Sequence, residues 1–352
     1  MIEVDGSFRE GGGQILRTAL SLSCVLQKPF IIYNIRKGRA KPGLMPQHLT
    51  CVRAAQSITN ARVAGDVIGS QELSFMPGEV RSGSYTFDVG TAGSTALVLQ
   101  TIIPALTFRG TEISTVRLTG GTHVPLSPSY HYLEQVFVPF LRTVGFTVDV
   151  SIASYGFYPK GGGKITADVH PARTTAALHI EKRGEVTGLT LTSGVGNLPL
   201  SIAQRQKQAS LASLSPLVKE WAFNVKSEAL SVPTRGQGTF LYLHAESSHA
   251  LAGFTALGAR GKKAETVGRE ATEEFLSYYR TGAALDPHLA DQIVLYLALS
   301  GKQSLFSTSR ITDHLLTNLW AVAVFHPYTY RVDGKTNNFG VIHIAPGSPP
   351  SR

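Results

Sequence analysis

Cysteine is scarce: Cys24 and Cys51 are the only two in 352 residues. Both fall in apolar, helix-like stretches, so neither a disulfide framework nor a paired Cys-x-x-Cys zinc site is available. His-Glu-x-x-His is missing as well, which removes the usual sequence support for zinc hydrolysis. No run approaches the ~18 apolar residues of a membrane span, so no membrane association is expected. The opening Met-Ile-Glu-Val-Asp-Gly has no basic region followed by an apolar stretch. The expectation is a reducing, cytoplasmic setting. Acidic residues are also few, 24 against 33 Lys and Arg, leaving a formal charge of +9. That imbalance attracts polyanions at long range without identifying nucleic acid by itself.

The common nucleotide signatures fail too. Gly334-Lys335-Thr336 ends like a P-loop, but Thr329 stands where its first glycine belongs. Gly194-Val195-Gly196 fails as a dinucleotide fingerprint because Pro199 takes the third glycine position. If ATP binds, another architecture holds it.

What is present is 43% hydrophobic residues in a chain long enough for a large core, and 35 glycines in clusters: Gly11–Gly13, Gly90 and Gly93, Gly120 and Gly121, Gly161–Gly163. Several clusters separate a strand-like run from a helix-like one, the pattern of repeated α/β units. In the first, Ile2–Val4 is a short strand, the glycines turn, and Ile15, Ala19, Leu22 and Leu26 recur at helical spacing. Phe30–Ile35 is β-rich, and Leu49, Val52, Ala55 and Ile58 give a second helix after Pro46. A second unit follows Gly90, with helices over Ala96–Leu106 and Ser127–Val144. No strict residue-level repeat accompanies the two. From about Lys182 to Tyr279 the glycine-headed style fades, and Ser, Ala and Gln crowd Ser201–Ser215, as expected of an inserted domain. The earlier style resumes with a helix over Pro287–Leu299, a strand over Ser304–Ser309 and a helix opening near Thr312 and Asp313. The expected division is a large domain, 1–182 plus 281–345, an inserted small α/β domain, 183–280, and a disordered tail, 346–352.

Glu10-Gly11-Gly12-Gly13-Gln14 ahead of a helix lets backbone N–H groups approach an anion, with the helix start adding partial positive charge. A tight turn needing positive φ is the competing use of such a trio. Arg17 lies just inside that helix. Arg36, Lys37, Arg39 and Lys41 form a basic run before Pro42, and Gln47 and His48 open the next helix; these could converge on a phosphate or form a solvated loop. His288, Asp291, Gln292 and Leu295 fall on one face of a helix at offsets of zero, three, four and seven. His314 sits in the first turn of the helix capped by Thr312 or Asp313. The dipole there disfavours imidazolium, and a neutral imidazole can attack phosphorus, although a histidine beside a cap is more often a packing residue.

The string Asp5-Gly6-Ser7-Phe8-Arg9-Glu10-Gly11-Gly12-Gly13-Gln14-Ile15-Leu16-Arg17 resembles the opening of the RNA 3'-terminal phosphate cyclase family. Arg39-Ala40-Lys41-Pro42-Gly43-Leu44 with Gln47-His48-Leu49, Gly90-Thr91-Ala92-Gly93-Ser94 with Gln100, and Gly156-Phe157-Tyr158-Pro159 with Gly161-Gly162-Gly163 follow in the family order. Leu289-Ala290-Asp291-Gln292 and His314-Leu315-Leu316-Thr317-Asn318 complete it. The resemblance implies an α/β fold with a large domain of repeated β-α-β-α-β-β units, similar to enolpyruvyl transferases, and a smaller insert. It also implies a ligase that uses ATP and a divalent metal, Mg or Mn, to adenylate a histidine. AMP then passes to an RNA 3'-phosphate, and a 2',3'-cyclic phosphate forms. Carried over, His314 is the nucleophile and Glu10 holds metal or nucleotide. Arg17, Arg39 and Gln47 bind the terminal phosphate; Gln100, Phe254, His288, Asp291 and Gln292 contact the nucleotide. The expected partners are ATP and an RNA 3' end, with a homodimer left open.

Three positions depart from the family pattern: Arg9 stands where glycine is usual, His123 where asparagine is usual, and His288 where tyrosine also occurs. A sister group of cyclase-like proteins, implied to act in ribosome assembly as silent RNA binders, lacks the nucleophilic histidine that this chain has. An enolpyruvyl-type transferase is the third reading, and it gives no use for a histidine at the head of the last helix.

Overall fold

The structure, a computed structural model, describes residues 1–218, 221, 223 and 225–347. Its main body is one topology used three times. The first unit comprises β1 (Ile2–Asp5), α1 (Gly13–Leu26), β2 (Phe30–Tyr33), α2 (Pro46–Thr59), β3 (Arg62–Ala64) and β4 (Leu73–Met76). The second has β5 (Ser84–Asp88), α3 (Thr95–Arg109), β6 (Ser114–Gly120), α4 (Tyr130–Tyr132), α5 (Val138–Thr143), β7 (Val148–Ser154) and β8 (Gly163–Val169). A π-helical segment, Leu133–Phe137, joins α4 to α5, so the helix expected from Ser127 starts later, at its Ser129 cap.

The third unit starts with β9 (His179–Ile180) and is then interrupted. Val186–Gly196 (β10), Leu200–Val218 (α6), Lys226–Ser231 (β11), Gly238–Ser247 (β12), Leu251–Leu257 (β13) and Ala264–Thr281 (α7) form a separate sheet with two helices. The unit resumes with α8 (Pro287–Gln292), α9 (Val294–Leu299), β14 (Ser304–Thr308), α10 (Asp313–Phe325), β15 (Tyr328–Gly334) and β16 (Gly340–Pro346). In all three body sheets the first strand runs parallel to the second, the second antiparallel to the fourth, and the fourth antiparallel to the third. The repeat is therefore threefold, where the sequence displays two units. The fold class expected, α/β with repeated β-α-β-α-β-β units, is the fold observed.

The reason for burial is plain in α3, whose residues are buried around nearly its whole circumference. A helix apolar on all sides must lie inside. Helix α1 packs against α2, α3 and α10, bringing the three units onto one helical layer. The sheet containing β10 to β13 has two different faces. Leu241, Leu243 and Phe254 pack in a cluster with Val267, Ala271 and Phe275 of α7, whereas Phe240 and Tyr242 join the core of the main body. Alternation along a strand sends neighbours to opposite faces.

Two expectations need correction. The helix read over Pro287–Leu299 is two helices meeting at Ile293. The Asp291 carbonyl there accepts Asn318 Nδ2 at 2.5 Å; a side chain inserted into the backbone ladder is a recognised cause of a helix break. Pro346, expected in a disordered tail, closes β16; residues 348–352 of that tail lie outside the described residues. No described helix is long and apolar enough to cross a membrane.

Candidate active site

The starts of α1 and α10 meet the end of α8 in space. The helices begin differently: Ser94, Asp286 and Thr312 cap α3, α8 and α10 by accepting backbone N–H groups, but α1 starts at Gly12 with no side-chain cap. The first-turn N–H groups of a helix have no partner within it, so the α1 start is the one left open to an acceptor from outside. Packing enforces glycine at position 13. A Cβ on Gly12 would collide with the Glu10 carboxylate, and one on Gly13 with the buried ring of His48.

Glu10 folds back over this turn. One of its oxygens pairs with Arg39, while its Oε2 is buried without a hydrogen-bond partner. A buried carboxylate oxygen in that condition is a costly arrangement unless something else satisfies it. Arg39 also donates to the Glu10 carbonyl at 3.3 Å. Arg17, four residues beyond Gly13, has no ion pair within 4.0 Å among the described residues; burial is the main influence lowering its pKa. Arg36, by contrast, spends its guanidinium on the carbonyls of Lys41 and Gly43 and so shapes the loop.

His314 is the second residue of α10, behind the Thr312 cap. Its Nδ1 lies 2.7 Å from Gln14 Oε1, and Gln14 Nε2 donates to Asp291 Oδ2 at 3.1 Å. An amide oxygen only accepts, so Nδ1 carries the hydrogen and Nε2 keeps its lone pair. Desolvation lowers the His314 pKa first, helped by Arg17, His288 and Arg39 and opposed by Asp313. The neutral ring is thus favoured. Burial and the neighbouring Asp286 push the Asp291 carboxyl up to about 7, against the opposing pull of Gln14 and Arg17.

Several further contacts lock the junction. Thr18 Oγ1 donates to Asn318 Oδ1 at 2.6 Å, Phe8 stacks on Trp320 at 4.0 Å, and Arg9 lies 3.5 Å from Asp313. Gln100 Nε2 donates to Gln292 Oε1 at 2.6 Å, tying α3 to α8. Gln47 Oε1 accepts the Ser94 N–H at 2.7 Å and holds the Gly90–Ser94 turn. His288 is exposed on α8, its ring edge-on to Tyr132.

The structure therefore gathers Glu10, Arg17, Arg39, Asp291 and His314, with Gln100 and Gln292 as a bonded pair beside Asp291. Phe254 is the exception. It is 2% exposed on the face of β13 turned toward α7, edge-on to Phe275 and tilted against Tyr278, while its neighbour Gly253 faces Tyr132 and Val136 of the main body. His123, one of the unusual residues, is also internal: its Nε2 lies 2.9 Å from His131 Nδ1, and its ring lies over Phe240.

Sequence reasoning passed over Gln14, Thr18 and Asn318. A signal existed, since Gln14, Thr18 and Ser21 form a polar stripe at helical spacing and all three are buried. Buried polar side chains on an apolar helix require partners.

Among the described residues no group of three or more His, Cys, Asp or Glu could hold a metal ion. Glu10 is the carboxylate with an oxygen to spare. That fits a hard divalent cation of the Mg type, which takes one or two carboxylates and fills its shell with substrate phosphates and water.

Comparison with known proteins gives a consistent result. The family profile described as RNA 3'-terminal phosphate cyclase matches residues 8–332. The chain is 44% identical over 333 residues to a protein of Methylococcus capsulatus bearing that name, covering 92% of this chain and 91% of the relative. It is 44% identical over 339 residues to one from Sulfolobus acidocaldarius, covering 96% and 98%. A Pyrococcus furiosus protein of the same name is 39% identical over 344 residues, with 98% of each chain covered.

Proposed function

The chain belongs to the RNA 3'-terminal phosphate cyclase family, and on that premise we propose that it converts an RNA 3'-terminal phosphate to a 2',3'-cyclic phosphate through a histidine-bound AMP. The observation that carries the reading is His314, whose Nδ1 is engaged by Gln14 while Nε2 stays free at a junction furnished with Arg17, Arg39 and Glu10.

His314 Nε2 attacks the α-phosphorus of ATP; the N–P bond forms as the bond to pyrophosphate breaks. A terminal phosphate oxygen of the RNA then takes AMP, forming an O–P bond as the N–P bond breaks, and frees the imidazole. The 2'-hydroxyl attacks the terminal phosphorus, gives up its proton and expels AMP. Ring closure is intramolecular, so its entropic cost is small. Arg17, Arg39 and Gln47 hold the terminal phosphate, with arginine well suited to bidentate phosphate contacts. Gln100, His288, Asp291 and Gln292 contact the nucleotide, and Glu10 holds a divalent metal that supplies charge neutralisation when bound. The placement of Phe254 supports leaving it out of the nucleotide set. The division into a body of 1–182 plus 281–345 and an insert of 183–280 belongs to the same proposal.

The test uses an RNA with a labelled 3'-terminal phosphate, incubated with the protein, ATP and Mg or Mn. The expected result is label that becomes resistant to phosphatase only when ATP is present. Label that stays fully phosphatase-sensitive with every metal, while the RNA remains bound, would favour a silent RNA-binding protein instead.

A further inference from the structure

Gln14 has no assigned part in this chemistry, yet it is the only side chain hydrogen-bonded to His314 among the described contacts. Its amide is used at both ends, accepting at Oε1 from His314 and donating at Nε2 to Asp291. We propose that Gln14 is a positioning residue, oriented by Asp291, that fixes the His314 ring in the tautomer with hydrogen on Nδ1 and the lone pair on Nε2.

The inference rests on the proposed role of His314 as nucleophile and deepens it. The direction of the relay follows from its ends. Asp291 as a carboxylate can only accept, so it takes the Gln14 NH2 and turns the amide oxygen toward His314. That oxygen in turn can only accept, so Nδ1 must donate. The same contact acts again during attack, because a ring bonded to phosphorus through Nε2 becomes cationic. Its Nδ1–H then donates more strongly to an oxygen backed by a carboxylate. This division of labour is that of a base oriented by a third group.

Asp291 is anchored independently of the histidine. Its carbonyl is held by Asn318, and Asn318 is held by Thr18, so α1, α8 and α10 share one polar network. Gln14 is 8% exposed. Little water therefore reaches the amide itself, although both of its bonds end on less buried partners.

The test combines a spectrum with a rate, both at pH 8. In protein labelled with nitrogen-15 at histidine, the His314 signal is assigned by its loss in His314→Ala, and its tautomer is read from the two ring nitrogens. AMP transfer to His314 is timed in single turnovers for wild type, Gln14→Met and Gln14→Glu. Wild type is expected to show hydrogen on Nδ1. Gln14→Met, close in shape but unable to accept from Nδ1, is expected to lose that preference and slow AMP transfer by about 10- to 100-fold, as when an orienting outer partner is removed. Its KM for ATP should change by less than about twofold, because ground-state binding is untouched. Gln14→Glu restores an acceptor for Nδ1 but loses the NH2 that Asp291 orients, so it should recover the tautomer and only part of the rate. Hydrogen on Nε2 in wild type overturns the inference, as does a Gln14→Met protein of native fold with wild-type tautomer and rate. Failure of wild type itself to take up AMP would remove the proposed function, leaving the tautomer assignment to be decided by the spectrum.

Discussion

The junction of α1, α8 and α10 and the core beneath α7 are built from opposite materials. At the junction, polar side chains are bonded in sequence, from half-buried Asp291 through buried Gln14 to exposed His314, and from buried Thr18 to buried Asn318. Beneath α7, Leu241, Leu243, Phe254, Val267 and Phe275 bury hydrocarbon, and the buried polar contacts beside them, Ser210–Thr272 and Ser193–Gln206–Thr239, join no titratable group. The first arrangement specifies where lone pairs and protons lie; the second supplies stability. Substitutions should therefore separate the two, costing activity at one place and folding free energy at the other.

The largest effect on folding is expected from Phe254→Ala, about 3–5 kcal/mol of lost stability by denaturant unfolding. Phe254→Leu should cost less, and the folded protein should keep its KM for ATP within about twofold. A tenfold rise in KM with little loss of stability would put Phe254 at the nucleotide and break the comparison.

Asp291→Asn tests the opposite side. Between the ordinary carboxyl value of 3.8 and about 7, the folded protein holds a proton at Asp291 that the unfolded chain has lost. Stability conferred by that proton declines as pH rises through this window, and the penalty is complete above it. Asparagine carries no charge to bury, so the variant should gain on the order of 1–2 kcal/mol over wild type at pH 8 relative to pH 4, while AMP transfer slows. Thermal unfolding at the two pH values decides it; an equal difference at both would contradict the assigned burial cost.

Smaller still is Thr312→Ala, which removes the cap on α10 and should cost about 1 kcal/mol. The subtlest effect is on the acid limb of AMP transfer. Because the His314 pKa is lowered, the neutral ring persists below 6.5, and in Asp291→Asn, where no carboxyl titrates beside Gln14, single-turnover rates should hold through pH 6.5 before falling. Arg17→Met removes a nearby positive charge, so the limb should move upward. A limb at or above 6.5 in Asp291→Asn would show that the ring is not desolvated as described.

Much of this was legible in the sequence because it is local. The glycine trio, the Thr312 cap and the helical spacing of Ile15, Ala19 and Leu22 depend on near neighbours, and the elements they predict are present. The third unit was hidden for a physical reason. Its first strand is only His179–Ile180, and the partner that fixes it, through Leu178 donating to Ser304, lies 126 residues further along. Phe254 could not be oriented either, since choosing between the two faces of β13 requires knowing what packs on each. The Gln14 relay joins residues 300 and 277 positions apart. Only the polarity of the α1 stripe hinted at it.

The central claim is that His314 Nε2 is the atom that receives AMP. The direct measurement is incubation of wild type and His314→Ala with ATP labelled at the α-phosphate and a divalent metal, followed by denaturing separation and acid and alkali treatment. Acid-labile, alkali-stable label on wild type, reduced at least about 1,000-fold in a folded His314→Ala protein, is the predicted result. Equal label on both proteins, or none on folded wild type with any metal, would contradict it.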